Sequence, residues 1–116
     1  MDSISEITTR INEFRDARDW KQFHNPKDMA ISVSIEAAEL MEQFQWKNDT
    51  ECAEHIKNNR EAVADEMADV AIYLFELADL MKMDLGSEML RKLEKNAAKY
   101  PVEKARGSNR KYDELK

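Results

Sequence analysis

The sequence predicts an all-α protein, a compact four-helix bundle assembling as a homo-oligomer, and three observations predict it. Only two glycines and two prolines punctuate 116 residues, too few for the many turns of a sandwich or barrel. Helix formers dominate, with Ala, Leu, Met, Glu and Lys abundant. Apolar residues recur at helical spacing, most clearly Val63, Met67, Val70, Leu74, Leu77 and Met81, which follow a 4-3-4-3-4 pattern. Short connections favour antiparallel neighbours, hence a bundle, and a bundle this small often pairs with itself.

Each element has its own signal. Ser3 and Glu6 have the form of a capping box before Ile4, Ile7, Ile11 and Phe14, predicting a helix to about Trp20. His24-Asn25-Pro26 marks a loop, with Asp28 the expected cap of a second helix. Met29, Val33, Ala37, Leu40, Met41 and Phe44 form its apolar face, which ends near Trp46. Thr50 is the expected cap of a short helix to Lys57. The 63–81 stripe is the third long helix, closed by Asp84-Leu85-Gly86-Ser87. Leu90, Leu93, Ala97 and Tyr100 mark a fourth, ended by Pro101. Residues 1–116 are expected to form a single domain, with 102–116 an irregular basic tail that packing or a ligand orders.

Composition narrows the class. Lone Cys52 has no thiol partner for a disulfide or a thiolate metal site, as suits a reducing compartment. No secretory leader pattern is present, and the longest apolar run is the six residues Val70–Phe75, so a cytoplasmic protein without a membrane span is expected. The net charge of −6 is uneven: residues 1–90 carry nine Lys/Arg against 20 Asp/Glu, whereas 91–116 carry nine against four. An acidic body repels nucleic acid polymers, yet a short basic end meets phosphate locally.

The acids carry the chemistry. Glu36 with Glu39, and Glu66 with Asp69, are i, i+3 pairs that each share one helix face. Such pairs are common on solvated helices; the setting here is not. Residues 28–46 contain four acids and no Lys or Arg, and residues 61–81 contain six acids and no Lys or Arg. Charge-stabilised surface helices interleave Glu with Lys instead. Alanines at 37, 38, 64, 68 and 71 offer room for close helix approach. If these helices meet, four carboxylates converge and demand protons or a cation. Both histidines, His24 and His55, lie away from the pairs, so the donors are all oxygen, which suits Mg²⁺ or Mn²⁺ and implies a phosphate substrate. Lys92, Asn96 and Lys99 share a face before Tyr100, and with Arg106, Arg110 and Lys111 they are candidate phosphate donors as well as a plain basic face. Trp20, Trp46 and Tyr73 suit either core packing or a nucleobase wall, and His24 a loop or a ligand contact.

The arrangement Glu36-x-x-Glu39, a 26-residue gap, then Glu66-x-x-Asp69 resembles the signature of the MazG-like all-α nucleoside triphosphate pyrophosphohydrolases. Arg18-Asp19-Trp20-Lys21-Gln22-Phe23-His24, Phe44-Gln45-Trp46-Lys47, Asp69-Val70-Ala71-Ile72-Tyr73-Leu74, Tyr100-Pro101 and Arg110-Lys111-Tyr112 are similar to its dCTP pyrophosphatase branch. The resemblance implies a Mg²⁺-dependent hydrolase (Mn²⁺ being the alternative) that splits (d)NTPs, with dCTP or modified dCTP first, into monophosphate and pyrophosphate by water attack at the α-phosphorus. It implies a homodimer or homotetramer. It further implies Glu36, Glu39, Glu66 and Asp69 as metal ligands, with Glu36 or Glu39 orienting or deprotonating water. Lys92, Asn96, Lys99, Tyr100 and Arg106 then contact phosphates, and Trp20, His24, Trp46 and Tyr73 the base and sugar. Where relatives often carry arginine before Tyr-Pro, this chain has Ala98-Lys99, which weakens bidentate phosphate recognition there. Competing readings are a related all-α phosphohydrolase with another nucleotide substrate, and a non-catalytic helical module whose acidic face meets a basic partner.

Overall fold

The computed structural model describes residues 3–115. Every regular element among them is helical: α1 (Ile4–Ala17), a 3-10 turn (Lys21–Phe23), α2 (Pro26–Glu42), α3 (Asp49–Asn58), α4 (Arg60–Leu80), α5 (Leu85–Lys99), α6 (Val102–Ala105) and a second 3-10 turn (Tyr112–Glu114). Among the described residues no helix is long and apolar enough to cross a membrane.

The ends of these helices are set by local hydrogen bonding, and several differ from expectation. The Ser3 hydroxyl accepts from the Glu6 N–H at 3.1 Å and starts α1 as anticipated. α1 stops at Ala17 rather than near Trp20, because Asp19 turns left-handed at φ 54° and the Trp20 N–H returns to the Arg15 carbonyl at 3.1 Å. Asn25, not Asp28, caps α2: its side-chain oxygen accepts from the Asp28 N–H at 2.9 Å. Pro26 then occupies the first helical position, where its missing N–H removes no helical bond. α2 ends at Glu42, and the chain reverses through Trp46 at φ 67°. Asn48, rather than Thr50, caps α3 in a reciprocal box with Glu51. Asp84 accepts from the Ser87 N–H, so the segment that follows α4 also opens α5.

The chain divides into two compact units after Met83. In the first, α4 is central. α2 pairs along it, and α1 and α3 pack against it. Ile11, Met29, Val63 and Ala78 are its buried apolar side chains. The expected α4 seam is only half inside. Val63 is buried and Val70 and Leu77 half-buried, while Met67, Leu74 and Met81 are 56%, 39% and 53% exposed. The last three lie seven residues apart on one line of the helix, a flank that the partners of α4 leave uncovered.

In the second unit, α5 shows an amphipathic pattern with Met89, Leu90 and Leu93 exposed. The expected irregular tail carries more order than its composition suggested. Pro101 starts the single turn of α6, and Gly107 adopts φ +74° as the chain turns back. Tyr112 then meets Tyr100 edge to face, ring centroids 6.3 Å apart, with the Lys99 ammonium 4.9 Å from its ring.

Two substitutions test this account by urea denaturation. Met29→Ala, at a 3% exposed position, is expected to cost about 2–4 kcal/mol. Asn48→Ala, which removes the α3 cap, should cost about 1 kcal/mol.

Candidate metal and nucleotide site

The pairing of α2 with α4 brings together acids from separate parts of the chain. Glu36 and Glu39 lie one turn apart on α2, and Glu66 lies on α4. One carboxylate oxygen from each falls within 4.8 Å of the other two. Asp69 stands outside that trio, although its charge acts on both Glu36 and Glu66. None of these four acids enters an ion pair among the described residues. The alanines expected to bring the helices together contribute less than anticipated. Ala37, Ala38, Ala64 and Ala68 are exposed and Ala71 is half-buried, while Val63 is buried and Val33, Leu40 and Val70 are half-buried.

The electrostatic consequence falls on Glu36 and Glu66. Burial first, then a hydrogen bond shared with Glu39 and the charges of Glu39, Asp69 and Glu66, push the Glu36 carboxyl up to about 7. Burial and the same Glu39 carboxyl raise Glu66, with added repulsion from Asp69 and Asp65. Oε2 of Glu36 and Oε2 of Glu66 are buried without a hydrogen-bond donor among the described residues. A carboxylate oxygen removed from water without a donor or cation is costly. Three converging anionic oxygens, two residues with an orphaned oxygen, and no nitrogen or sulfur donor among them fit a hard divalent cation.

Beside the cluster, α1 and α4 enclose a cavity of about 500 Å³. From α1 come Ile7, Arg10, Ile11, Phe14 and Arg15, on consecutive turns of one face. From α4 come Asp69, Ile72, Tyr73 and Glu76. Trp20 and His24 flank the intervening 3-10 turn and close the side. Asp69 therefore links the wall of the cavity to the acidic cluster. The aromatic wall is itself organised. Trp20 meets Phe14 edge to face at 5.8 Å, and the Arg18 guanidinium lies 3.7 Å over the Phe14 ring while Nη1 donates to the Phe14 carbonyl. Burial and the charges of Glu36, Asp69, Glu76 and Glu39 raise the Tyr73 phenol, which keeps it protonated and able to donate.

The candidate residues thus divide. Glu36, Glu39 and Glu66 form one cluster, while Trp20, His24, Tyr73 and Asp69 line the cavity. Trp46 is 91% exposed and lies outside that lining. Lys92, Asn96, Lys99, Tyr100 and Arg106 all belong to the second unit, and none of its Lys92, Lys99 or Arg106 enters an ion pair among the described residues. Arg15 and Glu76 were not singled out from the sequence. Glu76 follows Asp69 by seven residues and Tyr73 by three, so its place on the site face was available in the spacing.

Fold and site define an all-helical protein that gathers carboxylates from two paired helices beside an aromatic cavity. Residues 31–115 match the MazG-like family. The chain is 43% identical over 115 residues to dCTP pyrophosphatase 1 of Homo sapiens, spanning 97% of this chain and 68% of that protein. It is 41% identical over the same length to dCTP pyrophosphatase 1 of Mus musculus. A pyrophosphatase from Archaeoglobus fulgidus DSM 4304 superposes with a TM-score of 0.81 at 41% identity, covering 87% of this chain and 94% of that one. The chain belongs to the MazG-like family.

The raised carboxyl of Glu36 has a measurable effect on stability. In the metal-free folded protein it holds its proton more tightly than in the unfolded chain, so its contribution favours the fold at low pH. That contribution is lost as pH rises from 4.5 to about 7. In EDTA, thermal stability should therefore fall across that window. Added Mg²⁺ competes with the proton, so its stabilising shift should grow with pH. A Mg²⁺ shift that is constant between pH 5 and pH 8 would contradict the cluster as the binding site.

Proposed function

We propose that this protein is a nucleoside triphosphate pyrophosphohydrolase that takes dCTP or a modified dCTP and releases the monophosphate and pyrophosphate. The observation that carries this reading is the convergence of Glu36, Glu39 and Glu66, with two carboxylate oxygens buried and unpartnered, at the edge of an aromatic cavity. Likeness to pyrophosphatases that include named dCTP enzymes supports the choice of substrate.

Glu36, Glu39, Glu66 and Asp69 are the proposed ligands of Mg²⁺, with Mn²⁺ the alternative. When bound, the cation supplies charge neutralisation on the triphosphate and Lewis acidity at the α-phosphate. Glu36 or Glu39 is the proposed group that orients or deprotonates the attacking water, since both place a carboxylate oxygen in the cluster that would hold the cation. Lys92, Asn96, Lys99, Tyr100 and Arg106 are proposed phosphate contacts, bringing positive charge to the departing pyrophosphate. Trp20, His24 and Tyr73 are proposed to hold the base in the cavity, with the solvent-facing Trp46 an outer contact on the sugar side.

Incubation with Mg²⁺ and each dNTP, with products resolved by phosphorus NMR, should give monophosphate and pyrophosphate. Orthophosphate release, or no turnover across the panel, would count against the reading. Glu66→Gln should lower kcat by at least about a hundredfold with the fold retained, because the cation loses an anionic ligand. Trp20→Ala should cost only about tenfold, on the scale of one stacking contact.

Self-association, as a homodimer or homotetramer, belongs to the same reading. The uncovered line Met67, Leu74 and Met81 on α4, together with Ile31 and Ile35 on α2, is the apolar surface that supports it. Sedimentation at micromolar concentration should give at least a dimer, and Met67→Glu or Leu74→Glu should shift it toward the monomer.

A further inference from the structure

Two charged side chains sit where apolar ones would serve the packing equally well. Arg15 of α1 and Glu76 of α4 are 5% and 2% exposed, among the most buried residues of the chain, and both line the cavity. Arg15 Nη1 lies 3.8 Å from Glu76 Oε1, and Arg15 Nε donates to Asp16 Oδ1 at 2.9 Å. His24 Nδ1 is hydrogen-bonded to the same Glu76 oxygen. No hydrogen bond within the described residues uses Glu76 Oε2 or Arg15 Nη2. A buried ion pair adds little net stability over aliphatic residues of similar size, and a partly satisfied one adds less. The free acceptor and the free donor instead give the cavity a polar floor beneath the walls formed by Phe14, Trp20 and Tyr73.

We propose that the Arg15–Glu76 pair is the base-reading element of this cavity, selecting a base edge that carries an exocyclic amine beside an unprotonated ring nitrogen, as cytosine does. Glu76 accepts from the amine and Arg15 donates to the ring nitrogen, the pairing by which carboxylates and guanidinium groups read base edges in general. His24 is a positioning residue, occupying one Glu76 oxygen so that the other faces the base. Uracil and thymine place a carbonyl oxygen where cytosine places its amine, and that oxygen meets the carboxylate. Adenine shares the amine and ring-nitrogen edge. The aromatic walls supply stacking for any base and therefore no choice among them. This inference rests on the pyrophosphohydrolase reading and adds to it the residues that choose the base.

The test uses the unaltered protein first. Turnover is compared for dCTP, dUTP, dTTP and the 4-deamino analogue of dCTP, whose 2-pyrimidinone base lacks the amine without added bulk. Equilibrium binding is measured in parallel with the α,β-imido analogues of dCTP and dUTP. The deamino analogue and dUTP should each lose at least tenfold in kcat/KM against dCTP, and imido-dUTP at least tenfold in affinity against imido-dCTP. In Glu76→Gln, whose amide also donates, the dCTP to dUTP ratio should fall by at least tenfold. Equal use of dCTP and its deamino analogue, or an unchanged ratio in folded Glu76→Gln, would overturn the proposal. A protein that releases no pyrophosphate from any dNTP fails the broader reading, while the binding ratio still decides this one.

Discussion

Like charges held together at the α2–α4 contact are the constraint on which the rest of this structure depends. Two helices that pair along their length here bring Glu36, Glu39 and Glu66 face to face. In the folded chain alone, burial first, then the hydrogen bond from Glu39 and the charges of Glu39, Asp69 and Glu66, favour the protonated form of Glu36 and raise its carboxyl to about 7. A divalent cation relieves the repulsion better, because it matches several oxygens at once and does not require neutral carboxyls. The same contact that stabilises the fold through apolar burial therefore creates a site that binding must complete.

The cavity extends the logic from α4 toward α1. α4 carries acids on two adjoining faces: Glu66 turned to α2, and Asp69 and Glu76 toward the cavity wall. Tyr73, between them in sequence, has its phenol raised by burial and by charges from both sides. One central helix thus couples the electrostatics of the cation cluster to the lining of the neighbouring cavity. Arg15 is the countercharge in this region; it lies on the α1 face that lines the cavity, and the left-handed turn at Asp19 brings Trp20 and His24 to the same lining.

Much of this was legible in the chain, and the misses have common causes. The order of the five longer helices follows from 3.6-residue periodicity, which is a local property, whereas the single turn of α6 is too short to show one. The acid pairs stood out because long stretches without Lys or Arg leave them uncompensated. The helix caps fall three residues before Asp28, at Asn25, and two before Thr50, at Asn48, since each stretch offers two good capping residues and backbone geometry chose the earlier one. The α4 stripe was read as core throughout. Periodicity reports that a face is apolar, not which neighbour covers it, and Met67, Leu74 and Met81 remain uncovered.

The sequence by itself determined the all-helical class, the two acid pairs and the aromatic and basic residues around them, because each is encoded by spacing along one helix or by composition. Only the tertiary structure decided that Glu39 stands between Glu36 and Glu66, that Trp46 faces solvent while Trp20 lines a cavity, and that Arg15 meets Glu76. Those facts depend on which faces of α1, α2 and α4 meet. A buried charge pair between residues 61 positions apart in sequence has no local signature; it exists only once the helices have packed.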